Sequence, residues 1–139
     1  MPPQPKFVIF AHHATYDTLH QVATLGLTAA AMGKDVIVIL LFWTIKKLAE
    51  GKIDEIDFPQ EYASSANEVA RLLKEKNVPK ISEMFQDAKH VGKFRLIACS
   101  AGLEYMGVDS AVVEKNVDEV MGLPAIIALT SDAETKLFI

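Results

Sequence analysis

Three observations predict an α/β fold, a three-layer α/β/α sandwich around a mainly parallel sheet of about five strands. The first is a set of short runs, Phe7–Ala11 (FVIFA), Asp35–Phe42 (DVIVILLF) and Phe94–Ala98 (FRLIA), that are densely apolar instead of alternating. Such runs mark strands covered on both faces. The second is the helical stretch between the first two runs, which gives a β-α-β opening and hence parallel neighbours joined by a right-handed crossover. The third is size and composition. The chain has 139 residues, 50% of them hydrophobic and 23% charged, enough for one domain over residues 1–139 with a proper core and too apolar for disorder.

The elements follow in order. Residues 1–5 form a proline-rich lead, expected to be flexible, and Phe7–Ala11 is the first strand, ending in His12-His13. Thr15–Met32 reads as a helix: Leu19, Val22, Ala23, Gly26, Leu27 and Ala30 recur at three- and four-residue steps, Asp17 suits the positive end of its dipole, and Gly33 is a left-handed cap. Asp35–Phe42 is the strongest strand in the sequence. Ile45–Glu50 makes a short helix stopped by Gly51, and Lys52–Phe58 an irregular connection. A helix is expected over Pro59–Lys76, with Tyr62, Ala66, Val69 and Leu73 as its stripe. Asn77-Val78-Pro79 ends it, and a second helix, Ile81–Val91, stops at Gly92.

The Phe94–Ala98 strand then delivers Cys99, the chain's one cysteine, into a small-residue turn, Ser100-Ala101-Gly102. Leu103–Met106 is helical and closes at Gly107. Asp109 caps a short helix through Lys115, Val117–Met121 is a weak strand, Leu123–Asp132 a helix with Pro124 in its first turn, and Lys136–Ile139 the last strand.

Composition narrows the function. A net charge of −4 without a basic cluster argues against nucleic acid, because Lys46-Lys47 is the densest basic spot and phosphate binding needs a concentrated patch. A single cysteine makes no intrachain disulfide, no signal-peptide pattern is visible, and the longest apolar run, Val36–Trp43, falls far short of the roughly 20 residues that cross a bilayer. A cytoplasmic protein without membrane contact is expected. The mean hydropathy of +0.21 is high for a small monomer, so self-association is expected too, with Phe42-Trp43 and Leu123–Ile127 as candidate surfaces.

Cys99 carries the most chemistry. At the carboxyl end of a strand and facing a helix start, it stands where ligands gather in open parallel sheets and where backbone N–H groups favour a thiolate. The plainer alternative is a buried structural thiol, since free cysteine is among the most buried residue types. Without a CxxC pair, any disulfide or sulfur exchange must involve another molecule. His12 and His13 end the first strand on the same edge and are candidates for a base near the thiol, or else solvated loop residues. Two histidines and a cysteine form a weak metal signal, and no metal or cofactor is expected. Phe42 and Trp43 wall a pocket, join a subunit contact or fill the core. Glu104 and Tyr105 fit exposed helix positions, as do His20 and His90. Gly102 and Gly107 form no GxGxxG fingerprint, HHATYD follows the first strand where a phosphate loop would be glycine-rich, and Ser100 lacks a GxSxG elbow. Dinucleotide, P-loop and serine-hydrolase chemistry are therefore disfavoured.

The first half, FVIFAHHATYDTLHQVATLGLTAAAMGKDVIVILLF, resembles the opening of DsrE/DsrF-like proteins, with Met32-Gly33 leading into a very apolar second strand. Cys99 followed at C-x6-M-G spacing by Met106-Gly107 resembles their cysteine segment. The resemblance implies an α/β/α fold, trimers or hexamers, and sulfur relay, in which a cysteine carries persulfide sulfur between donor and acceptor proteins. Only Cys99 can inherit that role, with His12 or His13 assisting proton movement. A rival reading is a non-catalytic oligomeric binding protein that uses the carboxyl edge of the sheet as a ligand or metal pocket.

Overall fold

A computed structural model describes residues 2–139. Of the expected N-terminal lead, position 1 lies outside the described residues. Five strands form one sheet in the order β4-β3-β2-β1-β5, and every neighbouring pair is parallel. They are β1 (Lys6–Ala11), β2 (Asp35–Leu40), β3 (Lys93–Cys99), β4 (Glu119–Met121) and β5 (Thr135–Phe138). The helices are α1 (Tyr16–Ala31), α2 (Trp43–Ala49), α3 (Ala66–Glu75), α4 (Ile81–Val91), α5 (Ser100–Tyr105), α6 (Ser110–Glu114) and α7 (Leu123–Thr130). With helices on both faces, this is the α/β sandwich that the apolar runs predict.

The two faces of the sheet are covered differently, and the topology is the reason. Successive side chains of a strand point to opposite faces. One set, including Ile9, Val36, Val38, Leu96 and Ala98, packs against Leu19, Val22 and Ala23 of α1 and Ile81, Met84 and Phe85 of α4. These helices make the crossovers from β1 to β2 and from β2 to β3. The other set, Val8, Ile37, Ile39, Ile97 and Cys99, forms a smaller cluster with Ile126 of α7. Strand β4 lies at one edge and β5 at the other, so α7 spans the second face on its way between them. On the first face backbones approach closely: a Cβ on Gly92 would lie 2.5 Å from the Ala30 carbonyl oxygen, so no larger residue fits against α1 where α4 passes into β3.

Several boundaries depart from the sequence reading. The second strand stops at Leu40, short of Phe42, because Phe42 adopts φ 46°, ψ −109°, outside the extended region. Helix α2 consequently starts at Trp43, before Ile45. The expected helix over 59–76 divides into a 3-10 turn, Gln60–Ser65, and α3. Neither piece buries a residue fully, and Tyr62, read as part of an apolar stripe, is exposed. Without a core to pack against, propensity alone did not hold one long helix. Ser100–Gly102 is no turn but the start of α5, since Cys99 remains extended and caps it directly. The last helix ends at Thr130, before Asp132, and β5 begins at Thr135, one residue before Lys136. Gly33 (φ 83°) closes α1 in the left-handed region, and the Asp109 carboxylate accepts from the Ala111 N–H at 2.9 Å, both as the sequence predicts.

Candidate functional site

The carboxyl edge of the sheet carries every residue singled out for chemistry, yet in two separate places. The first is the end of β3. Cys99 is 2% exposed and adopts extended dihedrals (φ −74°, ψ 123°) as the residue before α5. Its side chain belongs to the apolar cluster of Val8, Ile37, Ile39, Ile97 and Ile126, with Leu41, Ala101 and Met121 packed around it. Met121 of β4 pairs directly with it. Small residues keep this corner tight: a Cβ on Gly102 would lie 3.8 Å from the Cys99 Cβ and 2.6 Å from the Ile45 Cδ1.

The histidines directly follow β1, with β2 between that strand and the one that carries the thiol. Leu40 pairs with Ala11 on one side and Ala98 on the other, so the next row along the edge is His12, Leu41, Cys99. Two strand spacings place His12 roughly 10 Å from Cys99 between backbones, and Leu41 occupies the intervening position. The His12 N–H donates to the Ile139 carbonyl at 2.9 Å, the two imidazoles lie 4.0 Å apart between centroids, and His13 is exposed. The structure thus brings His12 and His13 together and leaves Cys99 apart from them.

The second place is an open cleft of about 710 Å³ between the start of α1, helix α2 and the 52–61 segment, with His13 and Trp43 on its walls and Cys99 outside it. Its floor is a clasp that the sequence reading did not anticipate. Lys47 is only 8% exposed, and its Nζ donates to the Ala14 carbonyl at 2.7 Å and to Asp57 Oδ1 at 2.6 Å. The same Asp57 oxygen accepts from the Tyr16 N–H at 2.9 Å, capping the positive end of α1. One lysine and one aspartate therefore tie α2, the connection and α1 together. Asp54 does the equivalent for α4, accepting from the Ser82 N–H at 2.9 Å and the Ser82 hydroxyl at 2.5 Å. The irregular connection is pinned at both aspartates.

Thr44 was also missed. It is fully buried, and its hydroxyl donates to the Ala11 carbonyl at 2.8 Å and accepts from the Leu41 N–H at 3.0 Å, locking the ends of β1 and β2 where the cleft begins. Among the aromatic candidates, Phe42 and Trp43 are about half exposed, Phe42 stacks on Tyr105 at 6.3 Å, and Trp43 walls the cleft. Glu104, Tyr105 and His90 are exposed, as expected. His20 is partly buried and lies 5.5 Å from the Tyr16 ring. Burial, and next the Asp54 charge, hold the Tyr16 phenol above its ordinary pKa. Among the described residues no three His, Cys, Asp or Glu side chains are grouped to hold a metal ion, and no helix is long and apolar enough to cross a membrane.

No protein-family model matches the sequence, and no curated protein matches it. Solved structures do match in fold. The ychN protein from E. coli superposes with a TM-score of 0.62 at 16% identity, over 99% of this chain and 100% of that one. A conserved protein of unknown function from Bacteroides thetaiotaomicron superposes with a TM-score of 0.58 at 19% identity, over 97% of this chain and 95% of that one. At these identities the likeness is one of fold: the chain shares, nearly end to end, the architecture of the ychN protein.

Proposed function

We propose that this chain is a DsrE/DsrF-like sulfur carrier that relays persulfide sulfur through Cys99. The observation that carries the reading is the place of its sole thiol, at the carboxyl end of β3 and directly before α5, with Met106-Gly107 at the spacing of the family's cysteine segment. The full-length likeness to the ychN fold is consistent with it. In the forward step the Cys99 thiolate attacks the terminal sulfur of a donor persulfide. An S–S bond forms at Cys99, the donor's S–S bond breaks, and the donor leaves as a thiolate. An acceptor thiolate then takes the terminal sulfur and releases Cys99 as thiolate. Both steps are redox-neutral, so one cysteine suffices. The proton leaving Cys99 passes to solvent or to His12 or His13 through water, since Leu41 bars direct contact.

Burial at 2% exposure makes the exchange a gated one: the corner must open for a donor and then shields the persulfide from stray thiols. The carrier works in the cytoplasm as a homo-oligomer, a trimer or hexamer, joined through the outer side of α7, where Leu123 and Ile127 are exposed. Its partners are donor and acceptor proteins, with neither nucleic acid nor membrane among them. Incubation with glutathione persulfide or polysulfide should add one sulfur atom to Cys99 by mass spectrometry. No gain with several donors, together with a native thiol inert to iodoacetamide, would overturn the reading.

The cleft favours a second reading, a non-catalytic binding protein that uses the carboxyl edge as a ligand pocket. Its volume is within the range of small-molecule sites and Cys99 takes no part in it, so on this reading Cys99→Ser leaves function intact.

A further inference from the structure

We infer, on the sulfur-carrier reading above, that Phe42 is a strained hinge whose relaxation opens the Cys99 corner. Phe42 stands two residues past β2 with φ 46° and ψ −109°, a conformation that glycine adopts freely and a bulky residue only under strain. Burial does not offset that strain. The ring is 48% exposed, and its stacking partner at 6.3 Å, Tyr105, is 72% exposed. What holds the conformation is a set of hydrogen bonds on either side of it. The fully buried Thr44 hydroxyl donates to the Ala11 carbonyl at 2.8 Å and accepts from the Leu41 N–H at 3.0 Å. The Thr44 N–H donates to the Leu41 carbonyl and the Lys46 N–H to the Phe42 carbonyl, both at 3.3 Å. Strain over-determined in this way is released when its surroundings let go.

Place ties the hinge to the thiol. Leu41, the residue before it, packs against the apolar cluster that holds Cys99 and stands next to Cys99 along the edge. On the other side, a Cβ on Gly102 would lie 3.6 Å from the Phe42 nitrogen and 3.8 Å from the Cys99 Cβ, so the first turn of α5 lies against both. A shift of Phe42 into an allowed backbone region therefore moves Leu41 and loosens α5 together. At 2% exposure Cys99 reacts only through such an opening. Strain confined to the closed form raises it relative to the open one, so the open form is more populated than in a relaxed chain. The hinge thus sets how often a donor persulfide meets the thiol.

The full-length protein and its Phe42→Gly and Phe42→Ala variants are compared by urea denaturation and by the rate at which iodoacetamide modifies the native thiol. Both variants lose the ring, but only glycine loses the strain. Glycine is ordinarily the less stable of the two, so a higher urea midpoint for Phe42→Gly reads the strain directly. Its thiol should react about fivefold more slowly than that of Phe42→Ala. Thr44→Val, which removes the hydroxyl, should speed modification about tenfold in the wild-type background and much less in Phe42→Gly, where no strain remains to be released. Thr44→Ser should stay near wild type. A midpoint for Phe42→Gly at or below that of Phe42→Ala would overturn the strain. Equal thiol rates in those two variants, or a Thr44→Val effect of equal size in both backgrounds, would overturn its hold on Cys99. Glutathione persulfide separates the hinge from the relay: thiol rates in the expected order with no sulfur gained by any variant would sink the relay and leave the hinge standing.

Discussion

The carboxyl edge holds two corners built on opposite terms. Around Cys99 the chain is dry and close-packed: the thiol is 2% exposed and joins the apolar cluster that also holds Ile39, Ile97 and Ile126. Around Trp43 it is open and charged, with a floor secured by one buried lysine, Lys47, and its aspartate. Only Leu41, the residue after β2, stands between Cys99 and His12 along the edge, so the difference arises from what covers the strands. Helix α7 caps the first corner with an apolar side chain. The second is framed by α2 and a connection in which hydrogen bonds do the work of a core. A shared sheet edge therefore does not make a shared site, and each corner fails under a different perturbation.

The largest effect is expected at the thiol corner. Ile126 is 1% exposed and is the fully buried α7 residue of the Cys99 cluster. Ile126→Ala removes the cover and leaves a cavity, at a cost of about 3 kcal/mol in urea denaturation. If α7 is the gate to Cys99, iodoacetamide should modify the native thiol faster, by up to roughly a hundredfold, because the opened state is reached more easily. A stability loss without faster modification would mean that the thiol is reached by another route.

The cleft should yield next. Lys47→Met keeps the length of the side chain but removes the donors to Ala14 and Asp57. Loss of a fully buried partner is more costly, but Asp57 is 44% exposed and water compensates part of its charge, so about 2 kcal/mol is expected. Amide exchange should quicken in the connection and the first turn of α1 while the β3 amides near Cys99 keep their protection. Equal loosening of both corners would show that they are one cooperative unit.

The contrast also explains what the sequence made legible. The sheet, its parallel strands and α1 could be read because apolar side chains set them, and apolar runs are visible in one dimension. Cys99 could be placed on the edge for the same reason, but not its depth. Burial there belongs to a cluster that Ile126 of α7 joins from 27 residues further along, and α7 crosses that face because β5 lies on the far side of β1. Lys46-Lys47 read as a minor basic spot because partners such as Asp57 and the Ala14 carbonyl are invisible without the fold. The strand end at Phe42 was overrun for a local reason: a positive φ at a phenylalanine carries no sequence signal. The Cys99–His12–His13 constellation rests on a shared sheet edge, which the parallel strands provide, but an edge does not give the distance along it: the order places β2 between β1 and β3.

The smallest effect tests the cleft side through pH. Tyr16 is 7% exposed and its backbone N–H donates to Asp57. Burial raises its phenol pKa first, and the Asp54 charge raises it further. The folded protein therefore holds this proton more tightly than the unfolded chain does. The contribution is fully present below the unfolded tyrosine value of about 10 and is lost as pH rises from there through the higher folded value. The phenol makes no side-chain hydrogen bond among the described residues, so Tyr16→Phe should stay within about 0.5 kcal/mol of wild type at pH 7. Above about pH 10 the two should diverge, with the wild type losing stability more steeply than the variant in parallel urea melts. Parallel curves across that range would show that ionisation of Tyr16 opposes folding no more in the native environment than in water, and that Asp54 exerts no force on the phenol.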